Sequence, residues 1–459
     1  HFLLAAARRL AQRLAQLRTP DGAVKPQDYR HALREVIGRC IFGTDRNPMA
    51  LELARTALWL EGFEEGKPLG FLDHHLQCGD ALLGVMELDA LKLGIAKDAF
   101  KPLSGDDKAV CRTLAKANAA GLKQLERDLQ GGQLLMRFAD EAGDAVLSAL
   151  EALPADTPED IAQKEAAYAE YRQRARDSRL AHAADLLLGG YLLPKTDETA
   201  AGVPTSATLY LELSGAQRTD THRRQLAAAQ AACREARVLH WPLAFPQVFA
   251  VGGFDCVLGN PPWERIKLQE EEFFATRHRD VAEARNKAER AQRIQWLSEG
   301  MLARHLYPEL DHPVQDGMAE TRLYAEFLAA RRTAEATSVF AHVDGNDGGR
   351  YPLTGVGDVN TYALFAELIS QITHERGRAG FIVPTGIATD DTTKAYFSQL
   401  TQSRRLVSLY DFRTGPGLFA DIGHQRYKFC LLTLGEADKA DFLFFALDVT
   451  QLAAARKHF

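Results

Sequence analysis

Apolar positions along the chain fall into two regimes. Toward both ends, short apolar runs stop at Gly, Pro, Asn or Asp, and helical patterns separate them. That alternation predicts strands and helices of an α/β sheet. Residues 1–18 form an amphipathic helix, with Ala, Leu and Phe inward and Arg outward. Residues 36–42 predict a helix end and then a short strand over Cys40–Gly43. Asn47-Pro48 is a start signal for a helix over Met49–Glu61. From 85 to about 240 the chain is rich in Ala, Glu, Gln, Lys and Arg with recurring Leu. It predicts helices over 107–129, 142–152, 158–188 and 216–237, interrupted at 192–206 by Pro194, Gly202 and Pro204. Sheet character returns at Phe254–Leu258, which reads as a buried parallel strand. A long, heavily charged helical stretch over 264–305 follows. Then come a helix over Thr361–Thr373, a strand over Ala379–Pro384, a helix near 391–402, and strands over Leu406–Phe412 and Tyr427–Leu434. The short loop between the last two makes them antiparallel. Residues 441–459 begin something further.

Composition changes this picture little. The 459 residues, 46% hydrophobic and 25% charged, are ordinary for a globular chain and leave room for two or three domains. No apolar run approaches the roughly 18 residues of a membrane span, so no membrane partner is expected. A net charge of −6 argues mildly against gripping nucleic acid with the whole surface, so any DNA contact is expected to be local or to lie mostly in a part outside this sequence. Six scattered cysteines without a Cys-x-x-Cys pair read as buried free thiols of a reducing cytosol. Asp73-His74-His75 reads as polar loop residues, and no metal site is expected. The chain opens at His1 with no initiator Met and no signal peptide, and reads as a fragment of a longer protein.

The chemistry concentrates after Phe254–Leu258. Gly259 ends the strand, and Asn260-Pro261-Pro262-Trp263 follows where α/β sheets place ligands, beyond a strand's carboxyl end. Two prolines fix two φ angles and remove two donors. The Asn260 side-chain oxygen and the Pro261 carbonyl can each accept one hydrogen of an exocyclic amine, and Trp263 can stack on the ring that carries it. A plain tight turn would need the same residues. At Asp45, at a strand's end, both a ribose-binding carboxylate and a helix N-terminal charge fit. Basic spots at 172–179 and 218–224 could touch DNA or simply be a solvated face, as could Lys267, Arg277 and Arg279.

Asn-Pro-Pro-Trp after an apolar strand resembles motif IV of the amino-group DNA methyltransferases that use S-adenosyl-L-methionine. Asn in first place is similar to the adenine-N6 enzymes rather than the cytosine-N4 ones, which more often carry Ser. Trp263 stands where Tyr is commoner. The order of motifs resembles the gamma class, and in particular the long adenine-specific methylases of fused restriction–modification and phage-defence systems.

The resemblance implies an α/β fold: a Rossmann-like S-adenosylmethionine-dependent methyltransferase sheet with a large helical insertion. Residues 1–84 would be the first, cofactor-side part of the core. Residues 85–240 would be the insertion and 241–435 the second part of the core. Residues 436–459 would start a truncated segment. It implies that Phe2 directly follows a motif I whose strand and glycine loop precede the chain. Asp45, with Asn47, would meet the cofactor ribose, and Asp80 the cofactor adenine. Asp358, Asn360 and Tyr362 would line the pocket in motif V. The catalytic set would be Asn260, Pro261, Pro262 and Trp263, with Asn260 also against the cofactor and Phe419 closing on the flipped base. Double-stranded DNA is the implied partner, with other restriction–modification or defence subunits. Two other readings stay open: a protein glutamine methyltransferase, which also carries Asn-Pro-Pro, and a non-catalytic DNA-binding subunit of a defence complex.

Overall fold

A computed structural model describes residues 1–20, 22–130, 144–342, 349–357, 359–414, 418 and 428–455. The fold is mixed α/β. Two short parallel strands, β1 (Gly43–Asp45) and β2 (Leu76–Cys78), pair in register, Asp45 against Cys78. The remaining strands are β3 (Phe254–Gly259), β4 (Thr373–Pro384), β5 (Leu406–Arg413), β6 (Lys428–Leu434) and β7 (Asp441–Ala446). They form a second sheet in the order β3-β4-β6-β5-β7. β3 runs parallel to β4, β6 is antiparallel to both β4 and β5, and β7 is parallel to β5. The antiparallel pair expected from the short loop is β5 and β6. Residues 441–446, in the stretch read as a new beginning, extend the same sheet.

β1 begins later than its sequence suggests. The preceding helix runs on through Cys40, and Ile41 and Phe42 are spent on packing. The Phe42 ring lies 5.9 Å from Phe245 and 5.7 Å from Phe254, so the amino-terminal ends of β1 and β3 meet in one aromatic cluster. Leu82, Trp241, Tyr351, Val359 and Leu368 extend that cluster and tie the two sheets together. Gly253 feeds β3 into place. Its φ is +121°, and an added Cβ would stand 2.5 Å from the Ile372 carbonyl oxygen. Only glycine tolerates both conditions.

β3 corrects the reading of a buried strand. Among the described residues it pairs on one side only, and Cys256 and Leu258 are exposed, Leu258 by 46%. The apolar run marks a strand suited to two neighbours, and here it has one. The cysteines also divide: Cys111, Cys233 and Cys430 are buried, whereas Cys40, Cys78 and Cys256 are exposed.

The helices between β2 and β3 follow the apolar periodicity closely: Lys108–Gln130, Asp144–Ala152, Pro158–Arg176, Arg179–Leu192, Ser206–Leu213 and Asp220–Ala236. The expected single helix over 158–188 breaks at Asp177-Ser178, because the Ser178 hydroxyl caps a new start by accepting from the Ala181 amide. Leu180, Leu186, Leu188, Leu209 and Leu213 are fully buried at the centre of this region. Glu212 is buried beside them, with Nδ1 of His182 3.0 Å away and Arg218 Nε donating to it at 2.9 Å.

Residues 264–305 are four short helices rather than one stretch: Glu270–Ala275, Arg279–Ala282, Lys287–Ser298 and Leu302–Leu306. They fold back on the 28-residue helix Val314–Ala341 around Phe273, Phe274, Leu297 and Phe327. Burying these aromatics outweighs helical continuity in a segment of surface charge. No described helix is long and apolar enough to cross a membrane.

Candidate active site at the carboxyl end of the third strand

The turn after β3 is held from behind. The Thr361 amide donates to the Glu264 carbonyl at 2.9 Å, and the Thr361 hydroxyl to the Pro262 carbonyl at 2.8 Å. Thr361 opens the helix Thr361–Ile372, whose N-cap is Asn360. Arg265 and Asn360 form an isolated antiparallel bridge. The turn thus sits on a helix start rather than hanging in a loop. Sequence reasoning found the helix start but not this use of Thr361. Its only signal is a hydroxyl at the first helical position.

What the turn leaves open matters more. Asn260 is exposed, and its side-chain amide has no hydrogen-bond partner among the described residues. The Pro261 carbonyl likewise accepts no hydrogen bond among them, although the Pro261 ring is buried. Pro262 is exposed, and its carbonyl is the one already occupied by Thr361. Trp263 is 40% exposed, and no described ring stacks on it. Two acceptors and an aromatic face therefore stand together on a backed turn. Such an arrangement can accept both hydrogens of an N–H donor pair on a planar group. Phe419 and Asp358 lie outside the described residues.

The cofactor candidates gather at the ends of β1 and β2. The Gly79 amide donates to the Asp45 carbonyl at 3.0 Å, so Asp80 follows immediately beside Asp45. Asp45 Oδ1 accepts from the Asn47 amide at 2.7 Å, and Asn47 Oδ1 in turn caps its helix through Met49. Asn47 is thus a helix cap first. Asp80 is mostly enclosed. Burial pushes its carboxyl above the usual range, while Arg46, with Nη1 3.6 Å away, and the Leu82 amide at 3.1 Å pull it back. Phe2 is 42% exposed at the start of the first helix. The next residue, Leu3, packs against Gly43 of β1, which places Phe2 on the same flank. A cleft of about 780 Å³ between the first two helices, lined by Arg8, Arg9, Lys25 and Tyr29, contains none of these groups.

Two expectations fail. Tyr362 does not face a pocket beside Asp80. It is buried in the core of the five-stranded sheet, 3.4 Å from Asp390 Oδ2 through its hydroxyl. The link to Asp80 comes instead from Tyr351, whose buried hydroxyl donates to the Leu82 carbonyl at 3.1 Å. His74 and His75 are not polar loop residues: they are 2% and 0% exposed. Several of the basic residues pair with carboxylates near them, mostly at the surface. Arg218 pairs with Glu212, Arg223 with Asp220, Arg174 with Glu170 and Arg279 with Glu283. Arg277 lies 4.3 Å from the centre of the Phe273 ring.

Against known proteins, the profile of the Eco57I restriction-modification methylases matches residues 39–293, over half of the chain. No curated protein matches. Among solved structures, a nuclease-deletion mutant of the Type ISP restriction-modification enzyme LlaGI, in complex with a DNA substrate mimic, is similar at 10% identity. That similarity covers 75% of this chain and 36% of the other, with a TM-score of 0.18, too low to define a shared fold. The chain spans about a third of that enzyme's length.

Proposed function

Since the chain belongs to the Eco57I restriction-modification methylase family, we propose that it is the catalytic part of a site-specific DNA methyltransferase acting on the N6 amine of an adenine flipped out of double-stranded DNA. The observation that carries this reading is the pair of unengaged acceptors, Asn260 Oδ1 and the Pro261 carbonyl, beside the exposed face of Trp263.

A flipped adenine offers two amine hydrogens in the plane of its ring. Asn260 and Pro261 accept one each, which draws the nitrogen lone pair out of conjugation and directs it away from the ring plane. Unstacking the base costs a few kcal/mol, and stacking on Trp263 returns about 1–3 kcal/mol. Phe419 would close the other face. S-adenosyl-L-methionine, when bound, supplies the methyl group on a cationic sulfur that takes back the bonding pair as the new N–C bond forms. The amine proton leaves to water. This chain's residues contribute position and electrostatics, and no strong base is required of them.

The fit to the cofactor rests on the donor set. Asp45, exposed at a strand end, suits ribose hydroxyls, and the enclosed Asp80 suits an adenine donor; Phe2 and Asn47 flank them. In this reading the two sheets are parts of one Rossmann-like sheet, residues 1–84 and 241–435 form the core, and 85–240 are inserted. The one-sided edge of β3 is then where the strand and glycine loop for the methionine moiety belong.

The test is methylation of mixed-sequence DNA by the full-length parent with labelled cofactor, followed by digestion to nucleosides. N6-methyladenine is the expected product. N4-methylcytosine would correct the base. Label in protein would turn the assignment to a glutamine methyltransferase, and no label at all to a non-catalytic subunit.

A further inference from the structure

The turn leading into β2 holds a group of side chains that methyl transfer does not use. Both ring nitrogens of His74 are buried without a hydrogen-bond partner among the described residues, and those of His75, also buried, face the Glu151 carboxylate and the Ile41 backbone without good hydrogen-bond geometry. An unsatisfied buried polar group costs about 1–3 kcal/mol, so the two at His74 call for an explanation. Glu151, on the helix Asp144–Ala152, turns its carboxylate toward them. Its Oε1 is 3.5 Å from His75 Nε2, within reach of an ion pair but too long for a good hydrogen bond. Gln247 Nε2 donates to the same oxygen at 3.2 Å, and Gln247 Oε1 is itself buried and unpartnered. One ligand atom each from His74, His75 and Glu151 lies within 4.8 Å of the others.

We propose that His74, His75 and Glu151 bind a transition-metal dication of the zinc type. Two imidazoles and one carboxylate are a borderline-soft donor set, suited to zinc and its neighbours rather than to magnesium or calcium, which take oxygen ligands. The rings are held for the purpose. His74 stacks on Phe71 at 5.4 Å between centroids, and His75 lies 4.0 Å from Phe42. Lys164 opposes the site: its Nζ lies 3.4 Å from the Glu151 carbonyl oxygen. It reaches the backbone of Glu151, and the carboxylate faces the histidines. Tetrahedral zinc with ligands at roughly 2.0–2.1 Å sets them about 3.4 Å apart, so the side chains close by about an ångström around the ion. The ion would pin the helix Asp144–Ala152 to the turn before β2, five residues ahead of Asp80.

The proposal is independent of the methyl-transfer reading, and its test uses zinc and cobalt salts on this whole chain. After chelation and gel filtration, one equivalent of zinc is expected to be retained per chain and to raise the Tm. Cobalt is expected to give visible d–d bands with no thiolate charge-transfer band. Glu151→Gln keeps the shape of a half-exposed residue and should lower zinc affinity at least about tenfold, as should His75→Gln. Circular dichroism of the metal-free variants establishes that they fold. No retained zinc would overturn the proposal. So would a thiolate band, or zinc retention unchanged in folded Glu151→Gln and His75→Gln.

Discussion

β2 is followed by Gly79-Asp80, and β3 ends on Gly259 and is followed by Asn260. Each parallel strand thus meets a glycine and a short polar residue at its carboxyl end, and the two turns end in opposite conditions. At Gly79 an added Cβ would stand 2.8 Å from the Leu239 side chain, whereas at Gly259 nothing lies within 4 Å. The Asp80 amide donates to the Arg237 carbonyl at 2.6 Å, and its carboxylate meets Leu82 and Arg46. The Asn260 side chain meets no described partner. One turn has its polar groups engaged within the fold, and the other leaves them open. The same local grammar thus gives one enclosed turn and one open turn, and what differs is how closely residues 237–240 press on the first, while the Gly259–Asn260 side of the second is left uncovered among the described residues.

The contrast can be broken most sharply at the glycines. Gly84 closes the first turn at φ +157°, with an added Cβ only 2.0 Å from the Leu239 carbonyl oxygen. Gly84→Ala should destabilise by more than about 4 kcal/mol, while Gly259→Ala should stay within about 0.5 kcal/mol. Urea unfolding of both variants checks this, and comparable losses would dissolve the contrast.

Asn260→Ala should reduce methyl transfer by the full-length enzyme about 10²–10³-fold, the loss seen when one preorganised hydrogen-bonding group is removed. Its Tm and cofactor affinity should hold. Parallel loss of turnover and cofactor binding in calorimetry would remove Asn260 from its role.

Trp263→Ala should cost about 1–3 kcal/mol in DNA substrate binding and Trp263→Phe much less, because the lost term is stacking. KM for DNA separates the two. Equal losses would mean that the indole N–H, rather than the ring face, makes the contact.

The smallest effect is expected at Asp80. Burial raises its carboxyl, so the folded state resists the charge at neutral pH, and that penalty fades as pH falls through its folded value to the usual carboxylate range. Asp80→Asn should therefore raise Tm slightly at pH 7, lose that gain in acid, and weaken cofactor binding. A lower Tm at pH 7 would show that the Arg46 pairing outweighs burial.

Much of this was legible in the residues. The strand before Asn260, the capped start at Asn47-Pro48, the helices of the middle region and the antiparallel pair of β5 and β6 follow from periodicity and breakers. The errors share one cause. Tyr362, the pair His74-His75, the break at Ser178 and the four short helices of 264–305 all depend on what packs against them. Tyr362 and the histidines are polar or amphipathic groups that a sequence places by type, yet neighbours distant along the chain enclose them: Asp390 and the sheet core for one, Phe42, Tyr168 and Glu151 for the others.

By itself, the order of residues determined the α/β class and the place of the Asn260-Pro261-Pro262-Trp263 turn at a strand's carboxyl end, because strand and helix periods and the rigidity of Pro-Pro are local properties of the chain. The tertiary structure alone decided that Thr361 takes the Pro262 carbonyl and leaves Pro261 and Asn260 open. It likewise decided that Asp80 is enclosed and that two histidines share a dry space with a carboxylate 76 residues beyond His75. Those outcomes turn on desolvation and hydrogen-bond competition, which exist only once distant segments are in contact.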